Sequence, residues 1–224
     1  PITYQYEMKM GKPVGTAAIA SYQGTAVRGA APDPIRGPFP LVILSPGFSI
    51  GSTSYGWLAE HLASYGFVVI SPDHAEYLDP ENQLWRGTVN RPQDIHAVLA
   101  HVEDNLQRDD MYQGIIDITS VAVIGHSYGG YTALAAAGAR IDTDSFQTTC
   151  QETLNTDQPG AWLCEMLLPH IVDMAELAGL DAVPKGLWPG WEVESVKAIV
   201  TIAGDAFFFG QPGLSQISIP VLAI

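Results

Sequence analysis

Residues 120–140 read SVAVIGHSYGGYTALAAAGAR. Val121, Ala122, Val123 and Ile124 make a short, wholly apolar run, as expected of a central strand buried on both faces. Gly125-His126-Ser127-Tyr128-Gly129 follows, and Tyr131–Ala139 then supplies alanines and a leucine at helix-forming density. Strand, G-x-S-x-G and helix in succession form the nucleophile-elbow pattern. The turn is so tight that side chains at Gly125 and Gly129 would meet backbone. It also lifts the Ser127 hydroxyl clear of the sheet, at the amino end of a helix whose dipole favours a developing anion. A bare G-x-S-x-G arises by chance in about one chain in ten of this length, at ordinary Gly and Ser usage. Its specificity therefore lies in the flanking strand and helix, and in the extra Gly130 for close helix packing. Ser127 is the candidate nucleophile.

Outward from the elbow, apolar strands alternate with helices. Phe39–Ser45 (FPLVILS) is a strongly apolar strand running into Pro46-Gly47-Phe48, and Ser54–Tyr65 reads as an amphipathic helix closed by Gly66. Phe67–Ile70 is the next buried strand, so strand, helix and strand make a right-handed βαβ unit in a parallel sheet. A polar loop is expected over Ala75–Val89. Asn90 then caps a helix over Arg91–Arg108, with Pro92 in its first turn and Ile95, Val98, Leu99, Val102 and Leu106 as its buried stripe. Val196–Ala203 returns to the sheet. Before the first apolar strand, Thr16–Tyr22 and its neighbours suggest one or two antiparallel edge strands.

Residues 141–191 break the alternation. This stretch holds both cysteines, Cys150 and Cys164, and a helix expected over Ala161–Ala178; it reads as an insertion, cap-like over the site. The fold class is α/β: one domain over 1–224, with a mostly parallel central sheet flanked by helices. Ile219–Ile224 begins one more buried strand, and the sequence stops inside it. The expectation is that a C-terminal part is absent from this chain.

The chain's 224 residues suffice for one domain with a substantial core. Ten basic residues against 24 acidic ones give a net charge of −14, which argues against nucleic acid and anionic membranes as partners. No apolar run approaches the length of a membrane span, no signal-peptide pattern is present, and an opening Pro1 is expected of a processed or trimmed chain. Cys150 and Cys164 are either two buried thiols or a bridge. A bridge closing a loop of that size is worth about 3 kcal/mol, and it implies an oxidising, extracellular or periplasmic compartment.

A serine hydroxyl needs a base to take its proton, a carboxylate to orient that base, and two N–H groups for the tetrahedral oxyanion. Tyr128, next after the nucleophile, supplies one amide. The loop after Phe39–Ser45 supplies the other, and Phe48 is the candidate because Gly47 permits close approach. Asp205 lies just past the carboxyl end of Val196–Ala203, where ligands gather in an open parallel sheet; an aspartate beyond Ile224 is its rival. Asp73 precedes the elbow, the wrong chain order. So do His61, His74, His96 and His101. His126 points away from Ser127, and His170 lies in the insertion. The base is thus expected on a C-terminal part, in the same gene or as a separate fragment. His96 and His101, five apart, miss the spacing of two metal ligands on one helix face, and no phosphate or dinucleotide loop is present, so no metal or cofactor is expected. Trp188, Trp191 and Phe207–Phe209 serve either an acyl pocket or the core.

With FPLVILSPGF (39–48), LAEHLASYGFVVISPDH (58–74), RPQDI (91–95), VAVIGHSYGGYTALAAAGA (121–139) and AGDAFFF (203–209), the chain resembles the α/β-hydrolase superfamily. It is most similar to bacterial dienelactone-hydrolase-like lipases and esterases related to platelet-activating-factor acetylhydrolase. That resemblance implies a serine carboxylic-ester hydrolase acting through an acyl-enzyme on lipid, short-chain or polymeric esters. Ser127 would be the nucleophile, Phe48 and Tyr128 the oxyanion amides, and Asp205 the acid. Those relatives carry Ser-His-Gly where this chain has Ser45-Pro46-Gly47, a form similar to cutinase-like polyester hydrolases. A serine peptidase or acyltransferase on the same fold, and a non-catalytic binding module, are the alternatives.

Overall fold

The computed structural model describes residues 1–12, 14–33, 36–76, 78, 84–108, 114–156, 158 and 160–224. Five strands form a sheet in which every neighbouring pair is parallel: β3 (Phe39–Ser45), β4 (Val68–Ile70), β5 (Ile116–His126), β6 (Val196–Ile202) and β7 (Val221–Ala223), in the order β4-β3-β5-β6-β7. The strand that leads into Ser127 is therefore the middle one. Together with the flanking helices, this is the α/β-hydrolase architecture.

Alternation along the central strands explains why both faces are apolar. Leu41, Ile43, Val121 and Val123 face the larger core, while Val42, Leu44 and Ile124 face the smaller one beneath α1 (Gly56–Ser64). The expected helix over Ser54–Tyr65 is a 3-10 turn, Ser52–Tyr55, continued by α1, and Gly66 ends it at φ +88°.

Three expectations need correction. The antiparallel strands β1 (Thr3–Gly11) and β2 (Gly15–Gln23) do not extend the main sheet; they form a two-stranded sheet of their own, β1 adding one isolated bridge from Met8 to Ile50, and β1 lies against the 3-10 turn. Glu60 on α1 fastens the far end of this hairpin, accepting N–H bonds from Thr25 and Ala26 at 2.9 and 2.8 Å, and those bonds pull its carboxyl down to about 2.

The helix expected from Arg91 instead starts at Leu84, as α2 (Leu84–Arg108), so Pro92 lies inside it. Leu84, Trp85, Thr88 and Val89 are buried, and that burial outweighs the proline. Pro92 cannot donate to the Thr88 carbonyl four residues back. The Tyr131 hydroxyl donates to that carbonyl instead, at 2.7 Å. The part of the expected loop at 79–83 lies outside the described residues.

The single helix expected over Ala161–Ala178 is two: α5 (Ala161–Leu167) and α6 (Ile171–Leu177), separated by a 3-10 turn that contains Pro169. They follow the elbow helix α3 (Tyr128–Ala136) and α4 (Thr143–Asn155), and both pack on α2. A disulfide between Cys150 and Cys164 ties α4 to α5, so the bridge, and not the thiol pair, is what forms. Last comes the short α7 (Gly210–Leu214).

Candidate active site

Ser127 sits between β5 and α3 at φ 53°, ψ −122°, a conformation a side-chain-bearing residue adopts only under strain of order 1–3 kcal/mol. Its own N–H donates to the Ile202 carbonyl at 2.9 Å, and its carbonyl accepts from Gly130 at 2.7 Å, closing the turn. A Cβ on Gly125 would lie 1.9 Å from the Gly129 carbonyl oxygen, and one on Gly129 would lie 2.0 Å from that of Ser45. Both glycines are therefore required by backbone that cannot give way. Helix α3 begins at Tyr128, directly after the serine, so the Tyr128 N–H lies in the first turn with no intrahelical acceptor.

The loop after β3 closes over the elbow. A Cβ on Gly47 would lie 2.9 Å from Ile50 Cδ1 and 3.3 Å from His126 Nδ1, so glycine at this position lets the loop lie close to the elbow. Three of the four amides from Gly47 to Ile50 are engaged. Gly47 donates to the Tyr55 hydroxyl at 3.2 Å, Ser49 to Glu76 Oε1 at 2.9 Å, and Ile50 to the Gly47 carbonyl at 3.1 Å. The Phe48 N–H donates to no group among the described residues, and the Phe48 ring meets the Tyr128 ring edge-on, 6.1 Å between centroids. Ser49, at φ 56°, is a second residue in the left-handed region. The Tyr128 ring does not wall the site: its hydroxyl is buried against the Leu84 carbonyl at 2.8 Å and Thr88 Oγ1 at 2.7 Å, and burial raises its pKa to well above that of a free phenol.

Asp205 follows β6 and the positive-φ residue Ala203. Its carboxylate accepts no hydrogen bond among the described residues, and burial raises its pKa above the ordinary value. A half-buried carboxylate without a donor is one that gains from a cationic or N–H partner. Asp73 is committed elsewhere, to Lys9 at 3.1 Å and to the Ser52 N–H at 3.1 Å.

Among the described residues, no histidine is bonded to Ser127. His126 Nδ1 shares a hydrogen bond with the Tyr55 hydroxyl at 2.8 Å, and burial raises that phenol's pKa. His170 pairs with Asp173 at 2.7 Å and stacks on Trp85, 5.3 Å between centroids. His96 faces the Trp191 carbonyl, His101 faces Asn105, and His61 lies beside Tyr65.

His74 stands in a serine–histidine–aspartate chain of its own. Its Nδ1 is 2.6 Å from Asp94 Oδ2 and its Nε2 is 3.0 Å from Ser45 Oγ. Burial, reinforced by the nearby Arg91, lowers its pKa, so the ring is neutral at neutral pH: Nδ1–H donates to Asp94 and Nε2 accepts the Ser45 hydroxyl. Ser45 is fully buried, which leaves it no access to a substrate. This chain braces the end of β3.

Arg91, Glu76, Tyr55 and Lys9, all of which hold the loop, carry no site motif in the sequence. Arg91 carried one signal: it lies four residues before the buried Ile95, on the apolar stripe of α2, where a charged residue needs a buried partner. Of the aromatic residues, Trp188, Phe208 and Phe209 are core residues, Trp188 donating to Thr143 Oγ1 at 2.8 Å; Trp191 and Phe207 are half-buried at its edge.

The family model described as Chlorophyllase matches residues 13–151, more than half the chain, from the second hairpin strand into α4. The chain is 35% identical over 101 residues to Cutinase 1 of Thermobifida cellulosilytica, a match covering 45% of this chain and 35% of that protein. It is 28% identical over 159 residues to Chlorophyllase-1, chloroplastic, of Citrus unshiu, covering 63% and 47%. It is 36% identical over 104 residues to Bis(hydroxyethyl) terephthalate hydrolase of Streptomyces coelicolor, covering 46% and 30%. These matches span about a third to a half of the length of the curated relatives.

Proposed function

The chain belongs to the chlorophyllase family, and from that premise we propose that it is a serine carboxylic-ester hydrolase working through an acyl-enzyme at Ser127. The observation that carries the reading is the strained serine between β5 and α3, facing a loop whose Phe48 amide is bonded to no group among the described residues. In this mechanism Ser127 Oγ attacks the ester carbonyl carbon while an imidazole takes the hydroxyl proton. The Phe48 and Tyr128 N–H groups receive the negative oxygen, each worth about 10²–10³ in rate. Collapse of the intermediate expels the alkoxide, which takes the proton from the imidazole. Water then repeats the sequence on the acyl-serine and releases the acid.

Asp205 is the proposed orienting carboxylate; the lack of a donor to it among the described residues and its raised pKa suit a group whose partner is an imidazolium. The imidazole itself comes from a segment of the same protein outside these 224 residues, because each histidine of the chain is engaged or placed elsewhere. The proposed substrates are lipid, short-chain or polymeric esters, a range supported by a cutinase and a terephthalate-ester hydrolase among the relatives. Kinship with platelet-activating-factor-acetylhydrolase-type esterases, carried by the position of Asp205, belongs to the same reading. So does the role of 141–191 as a cap over the site. The disulfide supports an extracellular or periplasmic location.

In the whole protein, a fluorophosphonate probe is expected to label Ser127, and Ser127→Ala to abolish labelling and lower ester hydrolysis by at least ~10³-fold. Hydrolysis surviving that substitution refutes the reading. The histidine positions favour a second reading, a hydrolase-like binding module. It predicts no labelling of Ser127 in the whole protein.

A further inference from the structure

Arg91 and Glu76 form an ion pair of which each member is almost wholly buried, 1% and 3% exposed. Such a pair is a poor device for stability, since well-packed apolar residues of similar volume usually do as well or better. What distinguishes this one is the backbone it grips. Arg91 Nη1 donates to the Pro46 carbonyl at 2.7 Å and Nη2 to the Gly47 carbonyl at 3.0 Å. Nε donates to Glu76 Oε2 at 2.9 Å, and Nη2 also meets Glu76 Oε1. Glu76 Oε1 in turn accepts the Ser49 N–H at 2.9 Å. The pair thus holds the loop on both sides of Phe48. The guanidinium carbon also lies 4.9 Å over the ring of Tyr128, the residue that carries the second proposed donor.

The Gly47 carbonyl and the Phe48 N–H belong to one planar peptide unit and point in opposite directions when it is trans. A carbonyl fixed on Arg91 therefore fixes the Phe48 N–H facing away from Arg91. Because the guanidinium is charged, its bond to the carbonyl also polarises the unit and makes that N–H a stronger donor.

We propose that Arg91, locked in place by Glu76, is a positioning residue that sets the Gly47–Phe48 peptide so that its N–H meets the oxyanion formed at Ser127. This rests on the reading of Ser127 as nucleophile and Phe48 as oxyanion donor. Arg91 touches no reacting atom; it acts through the peptide.

The test replaces both charges at once, Arg91→Met with Glu76→Gln, so that neither is left buried and unpaired, and sets beside it the single change Arg91→Lys. A lysine keeps the charge but lacks the fork that reaches two carbonyls. Rates for a p-nitrophenyl ester in the whole protein are normalised to the serines titrated by a fluorophosphonate. Crystal structures of the variants then give the orientation of the Gly47–Phe48 peptide. The double variant is expected to lose about a hundredfold in kcat per titrated serine with KM little changed, and Arg91→Lys to lose less. The peptide is expected to turn in the double variant. A folded double variant with the peptide in place and kcat per serine unchanged overturns the proposal, since a merely structural pair would lower only the folded fraction. Should the double variant fail to fold, Arg91→Lys decides by the same two readouts. Should the wild type show no Ser127-dependent hydrolysis, the proposed function falls, and peptide orientation alone decides: a retained peptide overturns the inference and a turned one upholds it.

Discussion

The elbow at residues 125–130 and the loop at 46–49 meet at Ser127, and each carries a residue with a side chain at positive φ, Ser127 at 53° and Ser49 at 56°. They are held in opposite ways. The elbow is enforced sterically: its glycines leave no room for a side chain against the turn's own backbone, the end of β3 and the segment after β6, and its hydrogen bonds run to the turn itself and to β6 next door. The loop is enforced from outside, by the Lys9 N–H on the Ser49 carbonyl, the Tyr55 hydroxyl, Glu76 and Arg91. Those four residues come from the hairpin, the turn before α1, the segment after β4 and helix α2. Steric enforcement is rigid and survives the loss of a neighbour. Enforcement by distant hydrogen bonds can be weakened one partner at a time.

The comparison is sharpened most by Gly125→Ala, whose new Cβ would lie 1.9 Å from backbone. It is expected to destabilise the protein by about 4 kcal/mol or more, read from the denaturant midpoint at unchanged m. A loss below about 1 kcal/mol would mean the elbow relaxes, and the contrast would fail.

Tyr55→Phe comes next. It leaves the Gly47 N–H and His126 Nδ1 without the hydroxyl between them and is expected to cost about 1–2 kcal/mol in the same measurement. The fold should persist, because Arg91 and Glu76 still hold the loop. Complete unfolding of this variant would make the loop as brittle as the elbow.

The smallest effect is on acid stability. Glu60 pins the hairpin that brings Lys9 to Ser49, and its carboxyl is held at about 2 against an ordinary 4.5. A depressed carboxyl contributes stability that is fully present above its unfolded value and is lost as pH falls toward its folded one. Melting temperatures taken downward from about pH 5 should therefore fall more steeply for the wild type than for Glu60→Gln. Parallel curves would show that the hairpin is held by other contacts.

How far each part could be read from the sequence follows the same division. β3, β6 and the elbow were legible because apolar runs and glycine spacing are local signals. Local signals place the start of α2 at Asn90, an N-cap residue with Pro92 suited to a first turn, while the Tyr131 hydroxyl that satisfies the Thr88 carbonyl lies about forty residues away. The helix expected over 161–178 breaks at Pro169, whose missing N–H and ring leave a 3-10 turn between two helices. The hairpin's strands were visible by alternation, but their separation from the main sheet depends on pairing that alternation does not encode. Ser45, His74 and Asp94 gave no sign of forming a chain, because each belongs to a different element.

By itself the sequence determined the turn that carries the proposed nucleophile, because a glycine two residues to either side of Ser127 and an apolar run before it admit one backbone path. Only the tertiary structure decided which amide of the facing loop is left to donate. That depends on which neighbouring groups are already bonded, and the partners that engage them, at positions 9, 55, 76 and 91, are brought together by the fold and by no periodicity in the chain.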